Sequence, residues 1–393
     1  MNRVTLHGEA LRHNLAVIDG WMRQHDAHWT VVTKLFCGYP DAYRMLAQLG
    51  VHSIGESRLA NLVAAAEVMP ETEFWFLRLP HLSAVDDVVR LSDASLNSEL
   101  EIILALNEAA KRQGKVHGVV IMIELGDLRE GILPSSLVSY YERIFRLEHI
   151  RVLGIGANLG CLSGVVPNVD QLTQLVLYRE LLELKFNRQI PFVSAGTSAV
   201  LPLLQRNQVP RRMNHFRIGE SIFLGTDLLG GGSLPGLRDD AVTVEAEIVE
   251  IKEKSLYVSA EPGGLAPFDF VQSRDLNPGQ RGFRAIVTVG QVDTEVSGLT
   301  PLNAQFSIAG ASSDLTVVNL GESPIGVQVG DLMRFRPNYA SLVRLMNNRY
   351  TEKVFVPCAS VVDEEEAPYR GVPASIAPML HAEKAPLVGL QAS

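Results

Sequence analysis

"WTVVTKLFCGYPDAYRMLAQLG", residues 29–50, reads as a strand, a turn and a helix in succession. Residues 29–34 form an apolar, β-branched run that ends on a lysine. Small residues and Pro40 follow, and from Pro40 apolar side chains recur at helical spacing. A lysine closing such a run is costly unless its amine faces solvent, a partner or a ligand, so Lys34 asks for an explanation. The same unit repeats along the chain. Further strand-like runs cover 52–56, 73–79, 94–98, 118–125, 152–159, 191–195 and 216–225, and helix-patterned segments such as "SELEIILALNEAAKRQG" and "VDQLTQLVLYRELLELKF" lie between them. Each crossover is long enough to return the next strand parallel to the last. Eight such units, opened by an amphipathic helix over 9–26, predict an α/β chain folded as a (β/α)8 TIM-like barrel.

The pattern changes beyond the barrel. "AVTVEAEIVEI", "FRAIVTVGQVD", "FSIAGASSDLTVVNL" and "GDLMRFRPNY" alternate at strand period and are punctuated by Gly and Pro, which predicts a mostly β, antiparallel C-terminal domain. The expected division is a barrel over 1–237, a β-rich domain over 238–357 and a tail over 358–393 that carries the acidic run "DEEE". With 393 residues, 47% of them hydrophobic, the chain can bury a large core. A net charge of -9 argues against a general nucleic-acid partner, because phosphate binding needs a basic surface. The polar start and the lack of a long apolar run lead us to expect a cytoplasmic protein without a membrane partner. Cys37, Cys161 and Cys358 are widely spaced and read as buried free thiols, with no disulfide framework or CxxC metal site.

Chemistry in such barrels sits at the C-terminal ends of the strands, and phosphate is often held after strands seven and eight. Lys34 ends the first strand. "SAGTS", 194–198, follows the seventh, and its small residues allow backbone N–H groups to approach an anion where a helix begins near Ser198. Thr197 and Ser198 add hydroxyls, and Gly219 in the eighth strand can bring backbone close to the same place. A lysine facing a phosphate cradle suggests a phosphorylated aldehyde held as a Schiff base, for which pyridoxal phosphate is the obvious candidate. Each piece alone has a plainer reading: a snorkelling rim lysine, and an N-capped strand-to-helix turn. Their shared position on one barrel face favours the ligand.

As an ordered set, "VTKLFCG", "LNSELE", "ELGDLREGI", "GIGANLGCLSGVVP", "SAGTS" and "FRIGESIFLG", with "EAEIVEIKEK", "GLTPL" and "GASSD" later in the chain, resemble the alanine/ornithine racemase family of fold type III pyridoxal-phosphate enzymes, and its ornithine branch most. The likeness runs from about residue 4 to 350. It implies an amino-acid racemase, an isomerase that removes the Cα proton on one face and returns it on the other. Lys34 would be the Schiff-base lysine and one of the two bases. By the same resemblance Arg217 would donate to the pyridine nitrogen and Arg129 would sit near the phenolic oxygen. Asn158 would make a polar contact to the cofactor, and Thr197, Ser198, Gly219 and Tyr350 would hold the phosphate. The family also implies a homodimer with shared active sites, and the ornithine branch a basic amino acid as substrate.

Some positions depart from the pattern. Cys37 stands near where a phosphate-binding tyrosine is expected, and Met122 replaces the lysine whose carbamate holds the arginine in alanine racemase, so Arg129 must be held another way. "GGLAPFDF" replaces the branch motif at 263–270. The opposite-face base is left to Asp314 or Asp293, acids in turns of the second domain. The alternatives are a lyase or decarboxylase on the same scaffold, against which the "GGG" at 230–232 falls outside the phosphate position, and a non-catalytic regulatory protein that kept the cofactor grip.

Overall fold

The computed structural model describes residues 2–256 apart from 161 and 163, residues 279–358 apart from 325, and Tyr369. Eight parallel strands close into a barrel: β2 (His28–Val32), β3 (Ser53–Glu56), β4 (Glu73–Phe76), β5 (Ala94–Asn97), β6 (His117–Met122), β7 (Ile150–Gly156), β8 (Phe192–Gly196) and β9 (His215–Ile218). Every one of the eight predicted runs supplies a strand. The last is shorter than expected: β9 stops at Ile218, and Glu220–Leu224 turns into a short helix because Gly219 takes a conformation that breaks the ladder.

The barrel wall divides two environments. Trp29 and Val31 of β2 point outward into the main core, where helices such as α1 (Gly8–His25) cover the strands with Leu11, Leu15, Ile18 and Met22. Inside the barrel a small apolar cluster of Trp75, Ala94, Leu96, Val120, Met122, Leu153 and Phe192 fills one side. The other side is polar. Closing the barrel pairs His28 with His215 and Thr30 with Arg217, and all four are buried.

The second unit is a largely antiparallel sheet ordered β12-β15-β10-β11-β14-β13, with β10 spanning Val242–Ser255, β11 Arg281–Val287, β12 Leu299–Pro301, β13 Ser307–Ala311, β14 Thr316–Gly321 and β15 Leu332–Pro337. Residues Asn2–His7 form a strand, β1, that sequence patterning missed. It leaves the barrel and pairs antiparallel with β10 and parallel with β16 (Glu352–Val356), so the two ends of the described main chain lie side by side. Its partner strands lie more than two hundred residues away, which is why no local signal marks it. The helix Tyr339–Asn347, between β15 and β16, packs on the turn that carries Lys34.

Candidate active site

β2 ends at Val32, two residues before Lys34, which begins a single 3-10 turn, Lys34–Phe36. Cys37 and Gly38 then run at positive φ, 52° and 80°. Gly38 is required twice over: its conformation disfavours a side chain, and a Cβ would lie 2.8 Å from Oδ1 of Asn61. Glu56, at the end of β3, locks this turn from beneath. Its carboxyl accepts from Thr33 Oγ1 (2.9 Å), Tyr43 OH (3.2 Å), the Ser57 amide (2.9 Å) and Asn61 Nδ2 (3.1 Å). Burial raises its pKa in spite of these donors.

Lys34 itself is exposed, with its amine 5.8 Å from the centre of the Tyr339 ring. The strand ends at the rim, so within one chain the amine faces solvent and has only the second unit beside it. Burial raises the pKa of Glu220, and the positive charge of Lys34 pulls the other way. Cys37 is half-buried, its Sγ donating to the carbonyl of Val343 (3.7 Å), and Cys358 is half-buried too, so neither is the fully buried thiol expected. Cys161 and the segment 263–270 lie outside the described residues.

Around the rim from Lys34, Gly219 lets β9 approach β2, since a Cβ there would lie 3.0 Å from the Val32 carbonyl. Ser198 follows β8 in a 3-10 turn that leads into a short helix; it is buried, and its Oγ accepts from the Ser221 amide (3.3 Å). Next to it, Thr197 Oγ1 is buried with no hydrogen-bond partner among the described residues. Buried hydroxyls without partners are uncommon, and a small-residue turn with such a donor fits a phosphate group.

Deeper in the mouth the two predicted arginines are tied together. Arg217 is 5% exposed; its Nη1 donates to the Ser194 carbonyl (2.8 Å) and to Ser194 Oγ, and its Nη2 to the Ala157 carbonyl (3.1 Å) and Asn158 Oδ1 (2.7 Å). Asn158 Nδ2 in turn donates to Glu130, which also takes Arg129 through Nε and through Nη2 (2.7 Å). Burial would raise the Glu130 carboxyl, but Arg129 outweighs it and the pKa is lowered. Met122 is fully buried in the interior cluster, so Glu130, helped by Asp127 at 3.7 Å, is what holds Arg129. Sequence analysis left that holder unidentified.

Three predicted residues are not drawn into this group. Tyr350 is 69% exposed with the Arg349 guanidinium 4.7 Å over its ring. Asp293 caps its turn, accepting from the Gly290 amide (3.0 Å) and Asn348 Nδ2 (2.9 Å). Asp314 is exposed in the turn between β13 and β14. In their place the structure adds Glu130, Ser194, Glu220 and Tyr339. Ser194 already stood inside the "SAGTS" motif, whereas Tyr339 gave no signal beyond an aromatic residue closing the strand-patterned run "GDLMRFRPNY".

A closed parallel barrel carrying a rim lysine, a small-residue turn and an interior arginine at its mouth, with a β-rich unit beside it, is a (β/α)8 barrel of the two-unit kind. Residues 6–227 match the family model described as alanine racemase, N-terminal domain, and the chain belongs to that family. It is 34% identical to an ornithine racemase of Acetoanaerobium sticklandii over 89% of this chain and 98% of that protein. It is 32% identical to a lysine racemase of Thermotoga maritima over 83% of this chain and 90% of that one. The alanine racemase of Streptomyces coelicolor A3(2) superposes with a TM-score of 0.66 at 18% identity, covering 90% and 98% of the two chains, which extends the fold likeness across both units.

Proposed function

We propose that this protein is a pyridoxal-phosphate-dependent racemase of basic α-amino acids such as ornithine or lysine. The observation that carries it is the rim arrangement: Lys34 lies on the turn that follows the strand pairing with β9, Gly219 packs against that strand, and the hydroxyl of Thr197, unpartnered among the described residues, lies on the next turn round. Names and near full-length identity of the ornithine and lysine racemase relatives support the substrate class.

Pyridoxal phosphate, when bound, supplies an aldehyde for the substrate amine and an electron sink for the Cα–H bond. Lys34 would hold that aldehyde and move the Cα proton on one face. Thr197, Ser198 and Gly219 would hold the phosphate, with Tyr350 as a further donor. Arg217 would face the ring nitrogen. Its guanidinium does not deprotonate, so it leaves that nitrogen without a proton and restrains electron withdrawal. Arg129 and Asn158 would line the same ring. For the opposite face we retain Asp314, offered by one copy to the mouth of the other in a head-to-tail homodimer. The barrel over 1–237 would bind the cofactor and the β-rich unit over 238–357 would close the partner's site. We place the enzyme in the cytoplasm.

The test is loss of optical activity with pure L-ornithine, L-lysine, L-arginine, L-alanine and L-serine. Turnover of alanine alone would overturn the substrate class. Release of carbon dioxide, ammonia or an aldehyde would mark a lyase instead. The visible absorbance of the lysine-linked cofactor should vanish in Lys34→Ala, and retention of that band would remove Lys34 from its role.

A further inference from the structure

The polar side of the barrel interior holds a row of buried side chains that the rim chemistry does not use. Ser194 Oγ, which accepts from Arg217, lies 2.7 Å from His215 Nδ1. His215 Nε2 lies 3.2 Å from Thr30 Oγ1, and Thr30 Oγ1 lies 3.0 Å from Ser53 Oγ. Ser53 Oγ donates to Glu73 Oε2 (2.8 Å), which also meets His28 Nε2 at 3.2 Å. Ser194, His215, Thr30, Ser53 and His28 are fully buried, whereas the Glu73 side chain, at the start of β4, is 25% exposed on a cleft at the barrel floor shared with His52 and His117.

We propose that this row is a one-way chain of hydrogen bonds that sets Arg217, and that Thr30, Ser53 and Glu73 act as positioning residues for it. The direction follows from donor counting. Glu73, as a carboxylate, can only accept, so the single proton of Ser53 goes to it. Ser53 must then accept from Thr30, and Thr30 must accept from His215 Nε2–H. His215 is enclosed, and both of its ring nitrogens meet hydroxyls. Burial pushes its pKa well below the ordinary range, so the ring is neutral. A neutral ring with Nε2 protonated has a bare Nδ1, which takes the proton of Ser194. The lone pairs of Ser194 are left facing Arg217, which only donates. Burial would raise the Glu73 carboxyl, yet the contacts with His28, Trp75 and Ser53 together outweigh it and the pKa is lowered, which keeps the acceptor end charged. In a low-dielectric interior each link polarises the next, so the carboxylate at the floor is felt at the arginine.

The relevance to catalysis rests on Arg217 facing the cofactor ring; the direction of the chain does not. Protein carrying 15N-labelled histidine and arginine and loaded with pyridoxal phosphate should show His215 as the Nε2–H tautomer by ring-nitrogen NMR. Thr30→Val keeps the shape and removes the hydroxyl. It should shift the tautomer toward Nδ1–H, move the Arg217 guanidinium signals and the cofactor absorbance maximum, and lower kcat roughly tenfold, as expected for one hydrogen bond in a chain ending on a charge. Thr30→Ser should restore all four. If Thr30→Val does not fold, Ser53→Ala breaks the next link and should give the same signature. A His215 that is Nδ1–H or doubly protonated in the unaltered protein overturns the chain. So do Arg217 signals unchanged in Thr30→Val, or a Thr30→Ser that behaves like the valine variant. Should the unaltered protein bind no pyridoxal phosphate, the racemase reading falls, while the tautomer and arginine signals still decide the chain.

Discussion

Glu130 touches Arg129 and Asn158 at once, and Asn158 touches Arg217, so one carboxylate orders two cations that would otherwise repel across the mouth. Glu130→Gln keeps the shape and gives up the charge. It should lower kcat/KM roughly tenfold to a hundredfold, the loss of a charged hydrogen bond, with the fall appearing in kcat if Arg129 acts after substrate is bound. Steady-state kinetics on the racemised substrate would check this, and wild-type values would show that Arg129 is held by other means. The expectation that Arg129 needed a new holder was legible from Met122; the identity of the holder was not. Neighbours in sequence pair as readily with water as with each other, and only the fold brings Asn158 over Glu130.

The turn from β2 into the next helix is built as a rigid mount. Glu56 accepts four donors below it, so Glu56→Ala strands the hydroxyls of Thr33 and Tyr43 in a dry pocket and should cost about 3–5 kcal/mol. Gly38→Ala meets both the 80° φ and the side chain of Asn61, and should cost about 1–3 kcal/mol. Urea unfolding of both variants would measure these losses, and cofactor absorbance would report whether Lys34 has moved. The strand and the helix around this turn were visible as alternating period and apolar spacing. The mount was not, because Glu56 lies on a different strand and its donors come from four separate positions.

Across the whole molecule, a tail residue closes the barrel floor. Tyr369 is 2% exposed, with its ring 4.9 Å from Trp29 and 4.6 Å from His52, and its hydroxyl donates to the Trp29 carbonyl at 2.5 Å. Tyr369→Ala should lower stability by about 3–5 kcal/mol and Tyr369→Phe by about 1, measurable by denaturant unfolding. Acid should weaken the fold before the carboxylates titrate. Burial depresses His25 and His215, and pushes His117 down to about 4, so these rings stay neutral in the fold. Once unfolded they take protons below about 6.5. Stability is therefore fully present above that value and falls as pH drops, by roughly 3 kcal/mol for His117 across its window. Urea midpoints at about pH 7 and pH 5 would test the sign, and a midpoint that rises in acid would contradict it.

Sequence alone determined the barrel, the place of Lys34 on its rim and the small-residue turn after the seventh strand, because period and turn residues are local properties that repeat eight times. Tertiary structure decided what no window of sequence contains. It brought β1 to β10, Glu130 between Arg129 and Asn158, and Tyr339 over Lys34, and it lined up hydroxyls and a histidine from separate strands beneath Arg217. Those contacts join residues far apart in the chain, and their energy comes from closing the barrel, which excludes water and leaves each buried polar group only its neighbours to satisfy it.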